Sequence, residues 1–194
     1  MMLFLITVAA FVLMMLADML KLTRLAAASP WVFLTGAILL VVTGIWAAVA
    51  EEGFGIISWV RIVFLLVAVV ALILEIWSLL IALPFGPAYL ARGDVTLVDH
   101  GMYALCRHPG ALWLPLFLVS LSIALDSRAL MTVALTASVM NLMYVWMQDR
   151  YVFPHTIRGY DQYQRTTPFV LPTRSSLREA LRTIHQKKGD GHEI

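Results

Sequence analysis

Two polar islands stand out in an otherwise apolar chain, and both are rich in side chains able to do chemistry. The first runs Leu97-Val98-Asp99-His100-Gly101-Met102-Tyr103-Ala104-Leu105-Cys106-Arg107-His108-Pro109. The second opens with Gln148-Asp149-Arg150-Tyr151, continues through Gly159-Tyr160-Asp161-Gln162-Tyr163 and reaches Pro168 and Pro172. Arg107 has two readings, a bidentate partner for a carboxylate or an anchor to lipid phosphate. His100 and His108 are either metal ligands or loop-ordering hydrogen-bond partners. No second ligand pair stands at a recognisable metal spacing, which favours the loop role. Cys106 beside Arg107 reads as a reactive thiolate or, more simply, as a small packed residue. Tyr89, Tyr151, Tyr160 and Tyr163 fit an interfacial aromatic belt as well as they fit a binding site.

Three charged residues fall in or beside apolar runs. Glu75 stands about 12 Å inside its run, where an ionisable group is a functional candidate by default. Arg61 lies near the opposite end of the same run and has the reach to snorkel to the surface. Asp18, close to Lys21, is expected to be solvated.

The elements that must position these residues are membrane spans. Of 194 residues, 61% are hydrophobic and 13% charged. A soluble domain has about 45–50% apolar and about 25% charged residues. A net charge of +2 gives no footprint for nucleic acid, and one cysteine excludes an intramolecular disulfide. The apolar runs predict an all-α integral membrane fold with five spans: Met2 to Leu20, Trp31 to Ala50, Ile56 to Leu83, Ala111 to Leu125 and Ala129 to Met147. A span takes about 20 apolar residues, so the fourth is short, and Pro115 kinks it. The first run lacks a basic flank and a cleavage site and is expected to be retained. Only Asp126, Ser127 and Arg128 separate the last two spans, which forces an antiparallel hairpin. That hairpin brings the two polar islands to the same face.

The basic residues orient the spans. Lys21 and Arg24 lie in the first loop, Arg92 and Arg107 in the third, and eight of the fourteen Lys and Arg residues follow Met147. The second loop carries only Glu51 and Glu52. The positive-inside rule then puts the N-terminus outside and both polar islands and the C-terminus in the cytoplasm of an inner-membrane-type protein, with Arg128 the single dissenter. Residues 1–172 form the membrane domain and 173–194 a basic tail. In the tail, Ser176-Leu177-Arg178-Glu179 reads as a capping box. Leu177, Ala180, Leu181 and Ile184 follow at helical spacing among Arg178, Arg182, Lys187 and Lys188, the pattern of a helix on an anionic leaflet.

The polar islands also carry a resemblance. Leu97-Val98-x-x-Gly101-x-Tyr103 followed by Arg107-His108-Pro109 resembles the signature of isoprenylcysteine carboxyl methyltransferases and their bacterial relatives, and phospholipid N-methyltransferases are similar. Gln148-Asp149 stands where that family has a glutamate pair, and Val152, Tyr160, Tyr163, Pro168 and Pro172 continue the match in order. The match covers Leu97 to Pro172, under half the chain. The chain departs from the pattern at Ala111, Trp113 and Ile157.

The resemblance implies S-adenosylmethionine as cofactor, a lipophilic or lipid acceptor entering from the bilayer, and methyl transfer by alignment and exclusion of water. It implies a cofactor site made of Val98, His100, Gly101, Tyr103, Arg107, His108, Pro109, Tyr160 and Tyr163. Arg107, Gln148 and Asp149 are the implied catalytic group, with an acidic residue near the cationic sulfonium. Glu75 and Trp113 are assigned to the acceptor side, Trp113 narrowing the pocket. Two other functions fit the same sequence: a non-catalytic relative binding a lipid or a partner protein, and a small proton-coupled transporter using Glu75.

Overall fold

In lipid a chain must satisfy its own backbone polar groups, and helices do this segment by segment. The computed structural model describes residues 1–50, 53–81 and 97–189, and every regular element among them is helical. Helix α1 is Met2–Lys21 and α2 is Ser29–Ala48, entered through a 3-10 turn at Ala26–Ala28. Helix α3, Ser58–Ile76, runs into a π-helical turn at Trp77–Ile81. The short α4, Met102–Leu105, precedes α5, Gly110–Ala124. Helix α6, Arg128–Met147, runs into a second π-helical turn at Gln148–Val152. Three helices follow: α7 Phe153–Thr156, α8 Tyr160–Thr166 and α9 Arg174–Gly189.

Four stretches are long and apolar enough to cross a membrane: Met2–Lys21, Ala26–Ala48, Ser58–Leu79 and Arg128–Thr156. Helix α5 is apolar but shorter, with 15 residues and Pro115 inside it. That proline removes the donor that would have served the Ala111 carbonyl. Glu51, Glu52, Tyr89, Arg92, the last two residues of the expected third span and the side chains of Ile184, Lys187 and Lys188 lie outside the described residues.

Helix α1 packs on α2 and α6, and α5 packs between α6 and α3. Lipid chains are as apolar as leucine, so close backbone approach has to replace hydrophobic collapse. Small residues provide it. Ala10, Ala17, Ala47, Ala68, Ala71, Ala134 and Ala137 are buried between helices. At the α1–α2 crossing, a β-carbon on Gly36 would stand 2.6 Å from the Ala10 carbonyl oxygen, so only glycine fits. Many large apolar side chains point outward, Ile38, Val41 and Ile45 on α2 and Ile62, Leu66 and Ile73 on α3 among them, while Phe11, Met14, Leu130 and Val133 fill the space between α1, α2 and α6. Five tryptophans are exposed near helix ends, Trp31, Trp77 and Trp146 at one end of the bundle and Trp46 and Trp59 at the other. This is the placement of two interfacial belts. By the length, composition and exposure of its helices this is a membrane protein.

At the end that holds Trp46 and Trp59, the short turn between α5 and α6 is a junction. Asp126, at φ 56°, accepts from the N–H groups of Phe54 (2.8 Å), Gly55 (3.2 Å) and Ile56 (3.3 Å). Ser127 caps α6 by accepting from Leu130 N–H at 3.1 Å and donates to the Ala47 carbonyl at 2.8 Å. Arg61, on the first turn of α3, donates from Nε to the Ala124 carbonyl of α5 at 3.0 Å. A cation there suits the negative end of α5. Arg128 lies over the Phe54 ring.

The tail helix begins three residues earlier than its sequence suggests. Thr173 Oγ1 accepts from Ser176 N–H at 3.2 Å while Ser176 Oγ accepts from Thr173 N–H at 2.9 Å. The reciprocal box is therefore Thr173 with Ser176, and Ser176 is its inner member rather than its start.

Replacing Asp126 with alanine should free the 53–56 segment while leaving the helices intact. Hydrogen exchange at the Phe54 and Ile56 amides should speed by at least about tenfold, and Asp126→Asn should fall between variant and wild type. Unchanged exchange would show that the turn does not hold this segment.

Candidate functional site

At the opposite end, the two polar islands meet on one carboxylate. Residues 106–109 run beside residues 168–169, with Arg107 N–H donating to the Pro168 carbonyl (2.9 Å) and His108 N–H to the Phe169 carbonyl (3.2 Å). This fixes the backbone from which Arg107 and His108 project. Asp149 approaches from the second π-helical turn, a local widening often found at functional sites. Its Oδ1 lies 3.2 Å from Arg107 Nη1, 3.2 Å from His108 Nε2 and 2.6 Å from the Tyr160 hydroxyl that donates to it. Gln164 Nε2 donates to Oδ2 at 3.2 Å and to the Asp149 carbonyl at 2.8 Å.

Aromatic rings wall this cluster. His108 stacks on Phe153 at 5.7 Å and meets Phe169 edge-on at 5.2 Å. The Arg107 guanidinium stands 5.6 Å over Phe169, and its side chain is only 10% exposed. Tyr163 ties the cluster to α4 by donating to the Tyr103 carbonyl at 2.6 Å, and Tyr103 in turn donates to the Ser78 carbonyl at 3.1 Å. Pro109 is fully buried at the start of α5.

Burial sets the protonation of these groups. Desolvation holds the His108 imidazole below its ordinary range. Asp149 pulls it back upward, and Arg107 adds to the lowering. Burial pushes the Cys106 thiol up to about 11 against the pull of the His108 backbone N–H, so it is a packed thiol and not a thiolate. Burial, followed by Asp149, raises Tyr160. Burial also raises Tyr163, and both stay protonated donors.

Arg107, His108, Asp149 and Tyr160 thus come together, with Tyr103 and Tyr163 supporting them. Gln148 does not join them. Its Nε2 donates to Asp18 Oδ2 at 2.7 Å, and the Tyr144 hydroxyl donates to the same oxygen at 2.6 Å. Neighbouring residues in a helix point in different directions, so Gln148 meets α1 while Asp149 meets the 106–109 segment and α8. Asp18 itself corrects the expectation of a solvated residue. It is 1% exposed and pairs with Lys21 at 2.6 Å. The α1 stripe Thr7, Ala10, Phe11, Met14, Ala17 is buried, and Asp18 continues it at helical spacing. That periodicity was the available signal.

The remaining candidates sit around the cluster. His100 is exposed, with Nδ1 3.7 Å from Asp99 Oδ1. Val98 is half-buried. Gly101, at φ 62° and ψ −126°, needs glycine's freedom, and its N–H donates to Thr183 Oγ1 at 3.0 Å. A β-carbon on Gly110 would lie 3.3 Å from both carboxylate oxygens of Glu75, so Glu75 faces α5 at the start of that helix. Glu75 Oε2, Trp113 Nε1 and Arg107 Nε are buried without a hydrogen-bond partner among the described residues. Among those residues no three His, Cys, Asp or Glu side chains gather as a metal-ligand set. Phe153, Gln164 and Phe169 went unremarked in the sequence, because a wall of rings is set by packing and not by spacing.

Two outcomes are expected. The folded pKa of His108 lies below its ordinary value of about 6.5, so the unfolded chain binds the proton first. Stability should therefore be fully present above that pH and decline as pH falls below it. His108→Gln should flatten the decline in thermal melts between pH 7 and 5, and an unaltered slope would remove His108 as its cause. Gly110→Ala should cost about 1 kcal/mol through crowding against Glu75, and the same change in a Glu75→Ala chain should cost nothing. Equal costs in both backgrounds would refute that contact.

No family model, curated protein or solved structure matches the chain.

Proposed function

We propose that the chain transfers a methyl group from S-adenosylmethionine to a lipophilic acceptor at the membrane surface. The observation that carries this reading is the meeting of the two methyltransferase-like islands on Asp149, through Arg107, His108 and Tyr160. In this reading Arg107, held by Asp149 and Phe169, receives the carboxylate of the cofactor. A guanidinium anchored on one edge keeps the other for a second anion. Asp149 supplies the negative charge that favours the sulfonium over a neutral sulfur. The unpartnered Glu75 Oε2 and Trp113 Nε1 are an acceptor and a donor for the polar end of the methyl acceptor. Buried polar atoms left unpaired in a protein call for an explanation, and a bound ligand is one.

All five long helices cross the bilayer in this reading, α5 included. At about 22 Å it spans a locally thinned bilayer or relies on its polar flanks. The end with His108 is cytoplasmic, on the support of Lys21, Arg24 and the basic tail. A second reading has one observation in its favour. Asp149 already faces four donors, which suits a structural centre in a non-catalytic relative that binds lipid or a partner protein.

Calorimetry on the full chain in detergent separates these readings. S-adenosylmethionine and S-adenosylhomocysteine should both bind. Asp149→Asn should weaken the cationic ligand about fivefold more than the neutral one, since a partly exposed charge contributes about 1 kcal/mol. Arg107→Lys should lose both ligands, lacking the planar fork. Binding without methyl incorporation into any lipid fraction would favour the second reading. No binding of either ligand to the wild type would overturn the first.

A further inference from the structure

Helix α9 has two faces of different character. One face is used inside the protein. Ser176 and Ala180 are buried, the helix packs on α4, and Thr183 Oγ1 takes the Gly101 N–H at 3.0 Å. The other face is open, with Leu177 51% and Leu181 52% exposed and Leu171, just before the helix, 76% exposed. At 100° per residue, Leu177 and Leu181 form one stripe and Arg174, Arg178 and Arg182 the adjoining one. All three arginines are exposed, and Glu179 meets Arg182 at 2.8 Å, which leaves Arg174 and Arg178 as a net cationic edge.

An exposed leucine stripe in water is a liability, whereas at a bilayer surface it is an anchor. The arginine row beside it selects the sign of that surface. The position fits as well. Helix α9 is tied to α4, at the end of the bundle where Trp31, Trp77 and Trp146 are exposed. We propose that α9 docks on the anionic leaflet of the bilayer through Leu171, Leu177, Leu181 and the adjoining arginines, while its other face holds α4 in place.

The consequence reaches the candidate site through the chain itself. Helix α4 ends at Leu105, and Cys106, Arg107 and His108 follow directly. Tyr103 of α4 is bonded both to Ser78 and to Tyr163. A leaflet that holds α9 therefore steadies the segment presenting Arg107. The proposal concerns a surface and its partner and is independent of methyl transfer.

The test uses the full chain in nanodiscs of phosphatidylcholine alone and of phosphatidylcholine with one quarter phosphatidylglycerol. Hydrogen exchange of the α9 amides is followed by mass spectrometry, with α6 amides as the internal reference. Exchange in α9 should slow by at least about tenfold in the anionic discs. The difference should vanish in 0.5 M NaCl, where the Debye length falls to about 4 Å. It should also vanish in a chain carrying R174Q, R178Q and R182Q. Leu177→Ser with Leu181→Ser should speed exchange in both lipids. Where docking on α4 masks the lipid effect, Thr183→Ala should loosen that docking and widen the difference. Equal α9 exchange in the two lipids, in both the wild type and Thr183→Ala, would overturn the proposal. So would a lipid difference that survives the arginine substitutions, which would assign the protection to another partner.

Discussion

Asp149 stands where four donors from two separate stretches of chain converge, Arg107 and His108 before α5 and Tyr160 and Gln164 after the second π-helical turn. The polar end of the bundle depends on this convergence. Taking a carboxylate and a guanidinium largely out of water is costly, and their attraction offsets that cost only when the remaining donors and acceptors are also satisfied. Asp149 meets this condition almost completely. Arg107 does not, since its Nε has no partner among the described residues. The pair is thus satisfied on the Asp149 side, while on the Arg107 side one buried N–H has no partner among the described residues.

The bundle beneath follows a different rule. Its helices approach through alanine, glycine and hydroxyl side chains, with Gly36 close against Ala10, and many of their large apolar residues face outward. Such an interface stabilises by contact and not by water release, so its polar groups are paired within a helix, as Thr7, Thr43 and Thr136 are, or from helix to helix. Ser127 with Ala47 and Asp18 with Tyr144 and Gln148 do this at opposite ends. Glu75 and Trp113 depart from that pattern, as Ser29 and Asn141 do, and Glu75 and Trp113 lie where α3 or α5 reaches the polar end.

Much of this was legible in the sequence because lipid imposes strong patterning. The expected first, second, fourth and fifth spans lie within a few residues of α1, α2, α5 and α6, and α3 with its π-helical turn follows the third as far as Ile81, since each apolar run had to be a helix; four of these stretches are long enough to cross a membrane. The hairpin of α5 and α6 did bring the two islands together, because a three-residue turn leaves no other arrangement. What sequence reading misjudged was direction around a helix. Gln148 and Asp149 look like one motif on paper, yet a helix sends them to different neighbours. Asp18 looks like a surface charge beside Lys21, yet its phase along α1 places it inward. The start of α9 was displaced for a related reason: Thr173 and Ser176 offer a reciprocal box one turn earlier than Ser176 and Glu179, and the first box in the chain wins the helix.

The two carboxylates at this end divide the work. Asp18 fixes α1 to α6 through Tyr144 and Gln148, and so fixes the rotation of α6 about its axis. The π-helical turn begins at Gln148 itself, so Asp149 leaves α6 from a register already set by α1. The position of Asp149 then sets that of Arg107, across chain segments 42 residues apart in sequence. Gln148 and Asp149 are neighbours in the chain, so the Asp18 contact on α1 and the Arg107 contact before α5 are joined through two adjacent residues.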